Sequence, residues 1–399
     1  MKLKRILSLL LCAAMLVSVV SGCAKNDENA DSTEGGISLN EDVEGPIDGI
    51  EGTSDSTGDT TEINHDFEKA YATYEPDTVM AVIDGEDITW QQLFYWINNT
   101  LNNFEQNYQE ITDFDAICYD DVTYGQYVLE NSLNATVYYK AIKEYATALG
   151  IELTSDEKAE IKTKYDAAVE QAGGEEAFAE YLASIYCSDD YYNYNLECAY
   201  LYNLCFEHNY GANGEKLSEE EILEDTSKDG YMMAKHILFK ITDDDGNALS
   251  DEEKAAKYKN AEDVLAQLDA AAPAEVPELF DKLMNENSED TGLTLFPNGY
   301  LFQSGEMITE FEEAVAGLNE GEYSGIVETS YGYHIIMRLP IDVEATPLQY
   351  SQYLAYGYTH PLRYIVASNR QTSILTGLLE NIDVQQGDVY KSLSLSQIF

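Results

Sequence analysis

Two of the chain's five histidines lie far apart, each inside an apolar run of the kind that forms a strand. His236 stands in Ala234-Lys235-His236-Ile237-Leu238, and His334 in Gly332-Tyr333-His334-Ile335-Ile336. One histidine in such a run is ordinarily a hydrogen-bonded core residue. A pair bracketing a single folded stretch can do more, because two neutral imidazoles can share a proton network that fixes the tautomer of each. Between them, Ser288-Glu289-Asp290-Thr291-Gly292 has the composition of a capped loop, with Asp290 as the capping acid. No base stands at a recognisable spacing from Asp290, so nucleophilic chemistry is not indicated.

Other chemistries find little support. The six cysteines include no CxxC and no Cys/His spacing typical of zinc. Cys118, Cys187, Cys198 and Cys205 therefore read as buried thiols, with a disulfide among the last three left open. Asp243-Asp244-Asp245 does not make a calcium loop, because Gly246 falls at the wrong place. Neither metal nor cofactor is called for. The net charge of −52, from 74 acids and 22 bases, excludes a general nucleic-acid binder, since phosphate neutralisation needs clustered Lys and Arg.

The elements that would position the histidines follow from periodicity. Met232–Ile241 reads as a strand. Ser250 with Glu253 forms a capping box that opens a helix through Leu268. A second helix carries Val276, Leu279, Phe280, Leu283 and Met284. A loop from Asn287 and an irregular apolar stretch reach Phe302. Met307–Ala316 is a third helix, and 325–328 and 333–339 are strands. Helices followed by a strand pair indicate a small α+β domain, not a parallel sheet.

This stretch resembles the parvulin-type peptidyl-prolyl isomerases. "AKHILFK" is similar to their opening strand and "NSED" to their Ser/Asp loop. "FQSGEMITEFEEAVAGLNEGEYSGIVETSYGYHIIMR" follows their second half element by element. The resemblance places His236 and His334 as the two central histidines, Asp290 where the family has Asp or Cys, and Thr329 at a hydroxyl position near the closing turn. It implies Met307 and Phe311, with Phe302, as the lining of a proline pocket. One segment departs. The family has Gly-Gly-Asp-Leu-Gly before the Phe, whereas this chain has Leu295-Phe296-Pro297-Asn298-Gly299-Tyr300, which sets Gly299 where a Leu usually floors the pocket.

Toward the N-terminus, Lys2, Lys4 and Arg5 precede an apolar run from Ile6 to Val20 that is too short and too early for an ordinary membrane span. Val20-Ser21-Gly22-Cys23 looks like a bacterial lipobox, in which Cys23 carries the lipid. From Asn26 to Glu68 there is no Lys or Arg. Acids recur there with Gly, Ser and Thr, the composition of a disordered tether, and about fifty such residues span roughly 40 Å. Strand 79–83 and the Thr89/Gln92 capping box start the folded body. Helices follow near 122–149, 155–171, 174–184 and 188–209, stopped by Gly150 and Gly173-Gly174. "VMAVIDGEDITWQQL" and "GGEEAFAEYLASIYCSDDYY" resemble the N-terminal chaperone region of SurA/PrsA foldases. In the tail, Ile374/Leu378 and Leu375/Leu379 suggest one short amphipathic helix.

The expected organisation is α+β: a signal peptide (1–22), an acidic tether (23–76), a helical chaperone domain (77–228), a parvulin-like domain (229–341) with a small antiparallel sheet, and a helical C-terminal segment (342–399). The resemblance implies that this last segment packs on the N-terminal domain. It further implies an isomerase acting on unfolded exported polypeptides with X-Pro bonds, held at the outer face of the bacterial membrane. A homodimer is left open. The competing expectation is a holdase on a parvulin scaffold without turnover.

Overall fold

The computed structural model describes residues 65–243, 246–354 and 359–399. The signal peptide, Cys23 and the tether through residue 64 lie outside the described residues. The strands run β1 Val79–Ile83, β2 Glu86–Thr89, β3 Ile117–Tyr119, β4 Val122–Thr123 and β5 Met232–Lys240. They continue as β6 Tyr300–Phe302, β7 Tyr323–Glu328, β8 Gly332–Leu339 and β9 Val384–Gln386. Two compact units form. One holds the described residues through Asn209 together with Arg370–Phe399, and the other is Tyr210–Asn369.

The first unit is mostly helical, and its helices begin where side chains can satisfy the free N–H groups of a first turn. Reciprocal capping boxes open Trp90–Asn107 (Thr89/Gln92), Tyr124–Ala148 (Thr123/Gln126) and Ser155–Ala172 (Thr154/Glu157). The helix expected from residue 122 starts at Tyr124, because β4 first pairs with β3. Trp90, Phe94, Trp96, Tyr138 and Tyr139 are fully buried in this core. The Trp96 indole donates to Tyr191 Oη at 2.7 Å. Burial pushes the Cys187 and Cys198 thiols up to about 12, so they pack as inert apolar groups.

Two features of this unit correct the sequence reading. Order begins before residue 77: Phe67–Tyr71 is helical, and His65 Nε2 meets Glu105 Oε1 at 2.8 Å. The rings of His65 and Phe67 pack against Phe114 and Phe399, so the aromatic content of this short segment overrides its acidic neighbourhood. The C-terminal segment contributes a strand as well as helices. β9 pairs antiparallel with β1, Val82 opposite Gln385, and Tyr390 Oη donates to Leu129 O.

The second unit is wider than 229–341. Arg363 ties its two flanks, donating through Nη1 to Leu217 O and through Nε to Glu344 Oε1, both at 2.7 Å. The helix in the tail runs Leu362–Leu379, longer than the short one expected, because Leu362, Ile365, Val366 and Ala367 also find burial. The centre is an antiparallel sheet in the order β6-β5-β8-β7. The stretch read as irregular before Phe302 supplies its edge strand, β6. Strand alternation sorts the two faces. Ile237, Phe239, Tyr333, Ile335 and Met337 form one core with Val264 and Leu268 of helix Asp251–Ala270 and Phe280 of helix Val276–Asn287. Ala234 and Ile336 belong to the other face, with Phe302 and with Phe311 and Val315 of helix Thr309–Ala316.

Candidate functional site

His236 and His334 reach each other through strand register. β8 places His334 opposite Leu238, two residues beyond His236, so the histidines are diagonal neighbours on one face. Their rings stack with centroids 5.1 Å apart, and their Nδ1 atoms lie 2.9 Å apart. Both are buried.

Asp290 is delivered by the free edge of β5. β6 pairs only with Met232–Ala234, so the outward backbone groups farther along β5 need other partners. The loop after helix Val276–Asn287 supplies them. Ser288 Oγ accepts from Leu238 N–H, Glu289 N–H donates to Leu238 O at 2.8 Å, and Glu289 Oε2 accepts from Lys240 N–H. Lys257 holds the other Glu289 oxygen. Asp290 then meets His236, with Oδ2 2.8 Å from Nε2. It also caps the following turn, Oδ1 accepting from Gly292 N–H at 3.0 Å. The loop-cap role and the histidine partnership thus hold together.

Thr329 closes the other end, its Oγ1 2.8 Å from His334 Nε2 and accepting from Tyr331 N–H at 3.1 Å. The charge on Asp290 sets the roles at its end of the chain. Burial by itself raises the Asp290 carboxyl, but hydrogen bonds from His236 and Tyr300 outweigh it and hold the group down to about 2. Asp290 is therefore an acceptor only, and His236 Nε2 carries a proton. A neutral His334 donates through one ring nitrogen and accepts through the other, so its contacts to His236 Nδ1 and to Thr329 Oγ1 run in one sense, set by its tautomer. Burial, reinforced by His236, pushes His334 down to about 3, which keeps that ring neutral near pH 7.

The apolar wall lies against the same rings. Phe311 meets His236 edge-on with centroids 5.2 Å apart, and His334 at 5.8 Å. Phe302 lies 6.1 Å from Phe311. The three residues expected to line a pocket differ in access. Phe302 is fully buried and Phe311 is 2% exposed, whereas Met307 is half-buried. Phe302 and Phe311 therefore form a floor, and Met307 carries the apolar surface open to solvent. Leu348 and Leu354 pack against the same cluster. No group of three or more metal-ligating side chains occurs among the described residues.

Sequence reasoning did not single out Tyr300. Its hydroxyl donates to Asp290 Oδ2 at 2.6 Å, and its ring stands edge-on to His236. The only signal was its place in the segment that departs from the family pattern.

An antiparallel four-stranded sheet with two stacked histidines, a carboxylate and an apolar floor defines a parvulin-type domain. Residues 236–339 match the rotamase family, described as a PPIC-type PPIase domain. The chain is 30% identical over 168 residues to the foldase protein PrsA of Staphylococcus aureus strain bovine RF122 / ET3-1, a match covering 42% of this chain and 47% of that protein. The chain thus spans about half the length of the curated relatives it matches. Among solved structures it is similar to the peptidylprolyl isomerase PrsA of Bacillus cereus, with 16% identity, a TM-score of 0.31, and coverage of 81% of this chain and 99% of that one. It is also similar to the PrsA of Bacillus anthracis, with 20% identity, a TM-score of 0.24, and coverage of 62% and 95%.

Proposed function

We propose that this chain is a peptidyl-prolyl cis-trans isomerase that assists the folding of exported proteins, anchored outside the membrane through a lipid on Cys23. The observation that carries the catalytic part is the continuous hydrogen-bond chain linking Thr329, His334, His236 and a charged Asp290, set against the Phe311 floor.

The chemistry needs no nucleophile. Rotation about an X-Pro bond is opposed by a barrier of roughly 18–20 kcal/mol because amide resonance must be lost. A site lowers it by binding the twisted amide more tightly than either planar form. A planar amide concentrates negative charge on its carbonyl oxygen. A fixed carboxylate beside that oxygen disfavours the planar state, and the twisted state, with less charge separation, suffers less. Met307 and the floor beside it offer apolar contact for the pyrrolidine ring and exclude water that would favour the polar planar form. The imidazoles act by position, keeping Asp290 charged and aimed.

Substrates are unmodified exported chains. The acidic sequence Asp243-Asp244-Asp245, where a phosphate-directed site would need bases, disfavours phosphorylated Ser-Pro and Thr-Pro segments. Membrane attachment rests on the charged start, short apolar run and Cys23 of the sequence. No helix among the described residues is long and apolar enough to cross a membrane.

The test is exchange spectroscopy on a proline peptide with the full chain. Wild type should accelerate cis-trans exchange at micromolar concentration, and a rate equal to buffer would end the isomerase reading. A holdase without turnover is the competing reading, favoured by Gly299 in the pocket segment. It expects suppressed aggregation of an unfolded client together with no acceleration. Lipidation is checked by labelled fatty-acid incorporation, which should vanish in Cys23→Ala.

A further inference from the structure

We infer that Tyr300 is a positioning residue for the site, its hydroxyl tethering the Asp290 carboxylate in the orientation that faces the substrate amide. This inference rests on the isomerase reading for its catalytic consequence, though not for the tether itself.

Three residues converge on this tether: Gly299 and Tyr300 of the departing segment, and Gly292 before it. Gly299 has φ +107°, and a Cβ there would lie 2.8 Å from Ala234 O. Only glycine lets the backbone turn and press this closely on β5. The next residue, Tyr300, then pairs with Ala234 on the β6 edge and extends toward Asp290. The space for its hydroxyl comes from Gly292, where a Cβ would lie 2.0 Å from Tyr300 Oη. Gly292 also donates its own N–H to Asp290 Oδ1. Gly299, Tyr300 and Gly292 thus act as one arrangement: Gly299 stands in place of the family's Leu, and its neighbour Tyr300 brings a donor to the site.

The tether has a defined electrostatic role. Asp290 Oδ2 accepts from two donors, Tyr300 Oη on β6 and His236 Nε2 on β5, while Oδ1 accepts from Gly292. His334 on β8 acts through His236. Glu289, the neighbouring acid in the loop, is engaged by Lys257 from helix Asp251–Ala270 and by Lys240 N–H. The phenol adds a second donor to Oδ2 and ties the carboxylate to β6 as well as to β5 and the Gly292 turn. Burial and the facing carboxylate push the Tyr300 phenol far above its usual range, so it stays a donor at every working pH.

The test uses the full chain with Tyr300→Phe, which keeps the ring and removes only the hydroxyl. Carboxyl carbon NMR on labelled aspartate, assigned with Asp290→Asn, reads the titration of Asp290 without substrate. Its midpoint should rise by about one pH unit when one hydrogen-bond donor is lost. In the exchange assay, kcat should fall roughly three- to tenfold with KM unchanged, and the acid limb of the profile should move to higher pH. Gly292→Ala, which displaces the hydroxyl while leaving Tyr300 present, should reproduce both shifts. The double variant should be no worse than the worse single. An Asp290 midpoint unmoved in folded Tyr300→Phe overturns the inference, as does a rate loss that is flat across pH. A wild type that does not accelerate exchange, combined with a shifted midpoint in Tyr300→Phe, would sink the isomerase reading and leave the tether standing.

Discussion

In the helical unit, Asn195 is 1% exposed, and neither of its amide atoms has a protein hydrogen-bond partner among the described residues. Asn131 Oδ1 and Gln371 Oε1 are in the same position. In the central unit, His236 and His334 are about as deeply buried, yet each of their four ring nitrogens meets a partner. The difference teaches where this protein needs orientation. The unpaired Asn195 amide costs stability but has no chemistry to aim. A buried imidazole that must present one particular face to a carboxylate needs a donor or acceptor at every atom, because a half-satisfied network has no preferred direction.

The sharpest way to break this comparison is to remove the acceptor at the end of the chain. Asp290→Ala takes away the group both His236 and Tyr300 address. Exchange acceleration should fall at least a hundredfold, about 3 kcal/mol, while unfolding of the helical unit stays unchanged. Trp90 and Trp96 are the chain's only tryptophans and both lie in that unit, so indole fluorescence reads it separately. A loss under threefold would remove Asp290 from the mechanism.

Acid should distinguish the units next. His334 ordinarily titrates at 6.5 and is held near 3 in the fold, so the unfolded chain binds its proton first. The stability it represents is full above pH 6.5 and is lost as the pH falls toward 3. Asp290 adds a lower step, its carboxyl moved from 3.8 to about 2, with stability present above 3.8 and lost as the pH falls through 2. Together these amount to roughly 2–4 kcal/mol after allowance for solvent screening. Amide exchange of β5 and β8 residues between pH 7 and 3 should follow this slope, and Asp290→Asn should lose only the lower step. Equal protection at pH 7 and pH 4 would contradict it.

Two smaller effects sharpen the contrast from the helical side. Tyr191→Phe leaves the buried Trp96 indole N–H without its partner and should destabilise that unit by about 1–3 kcal/mol. Catalysis by the folded protein should not change. Asn195→Leu should alter stability by less than about 1 kcal/mol, or raise it, since no protein hydrogen bond among the described residues is lost. A large loss there would mean the amide is ordered by something other than its packing.

Much of the scaffold was legible locally. The apolar runs around His236 and His334 mark strands, and Thr89/Gln92 and Ser250/Glu253 mark helix starts, because side-chain period and capping act within a few residues. The second-half pattern from Phe302 to Arg338 located Met307, Phe311, Thr329 and His334 together. The order of residues 65–76 was not legible, because its acidic composition dominated the reading and its aromatic partners, Phe114 and Phe399, are distant in sequence. Nor was the pairing of β9 with β1, which joins Val82 to Gln385.

What the amino-acid order determined by itself is which residues could serve: two imidazoles in strands, an acid in a capped loop, and an apolar set at helical spacing. Only the tertiary structure decided how they meet. The register that makes His236 and His334 diagonal neighbours, the short β6 that leaves an edge for Ser288 and Glu289, and the gap above Gly292 that admits the Tyr300 hydroxyl all depend on partners remote in the chain. Hydrogen-bond direction is a property of such closed sets, and no local window of sequence contains one.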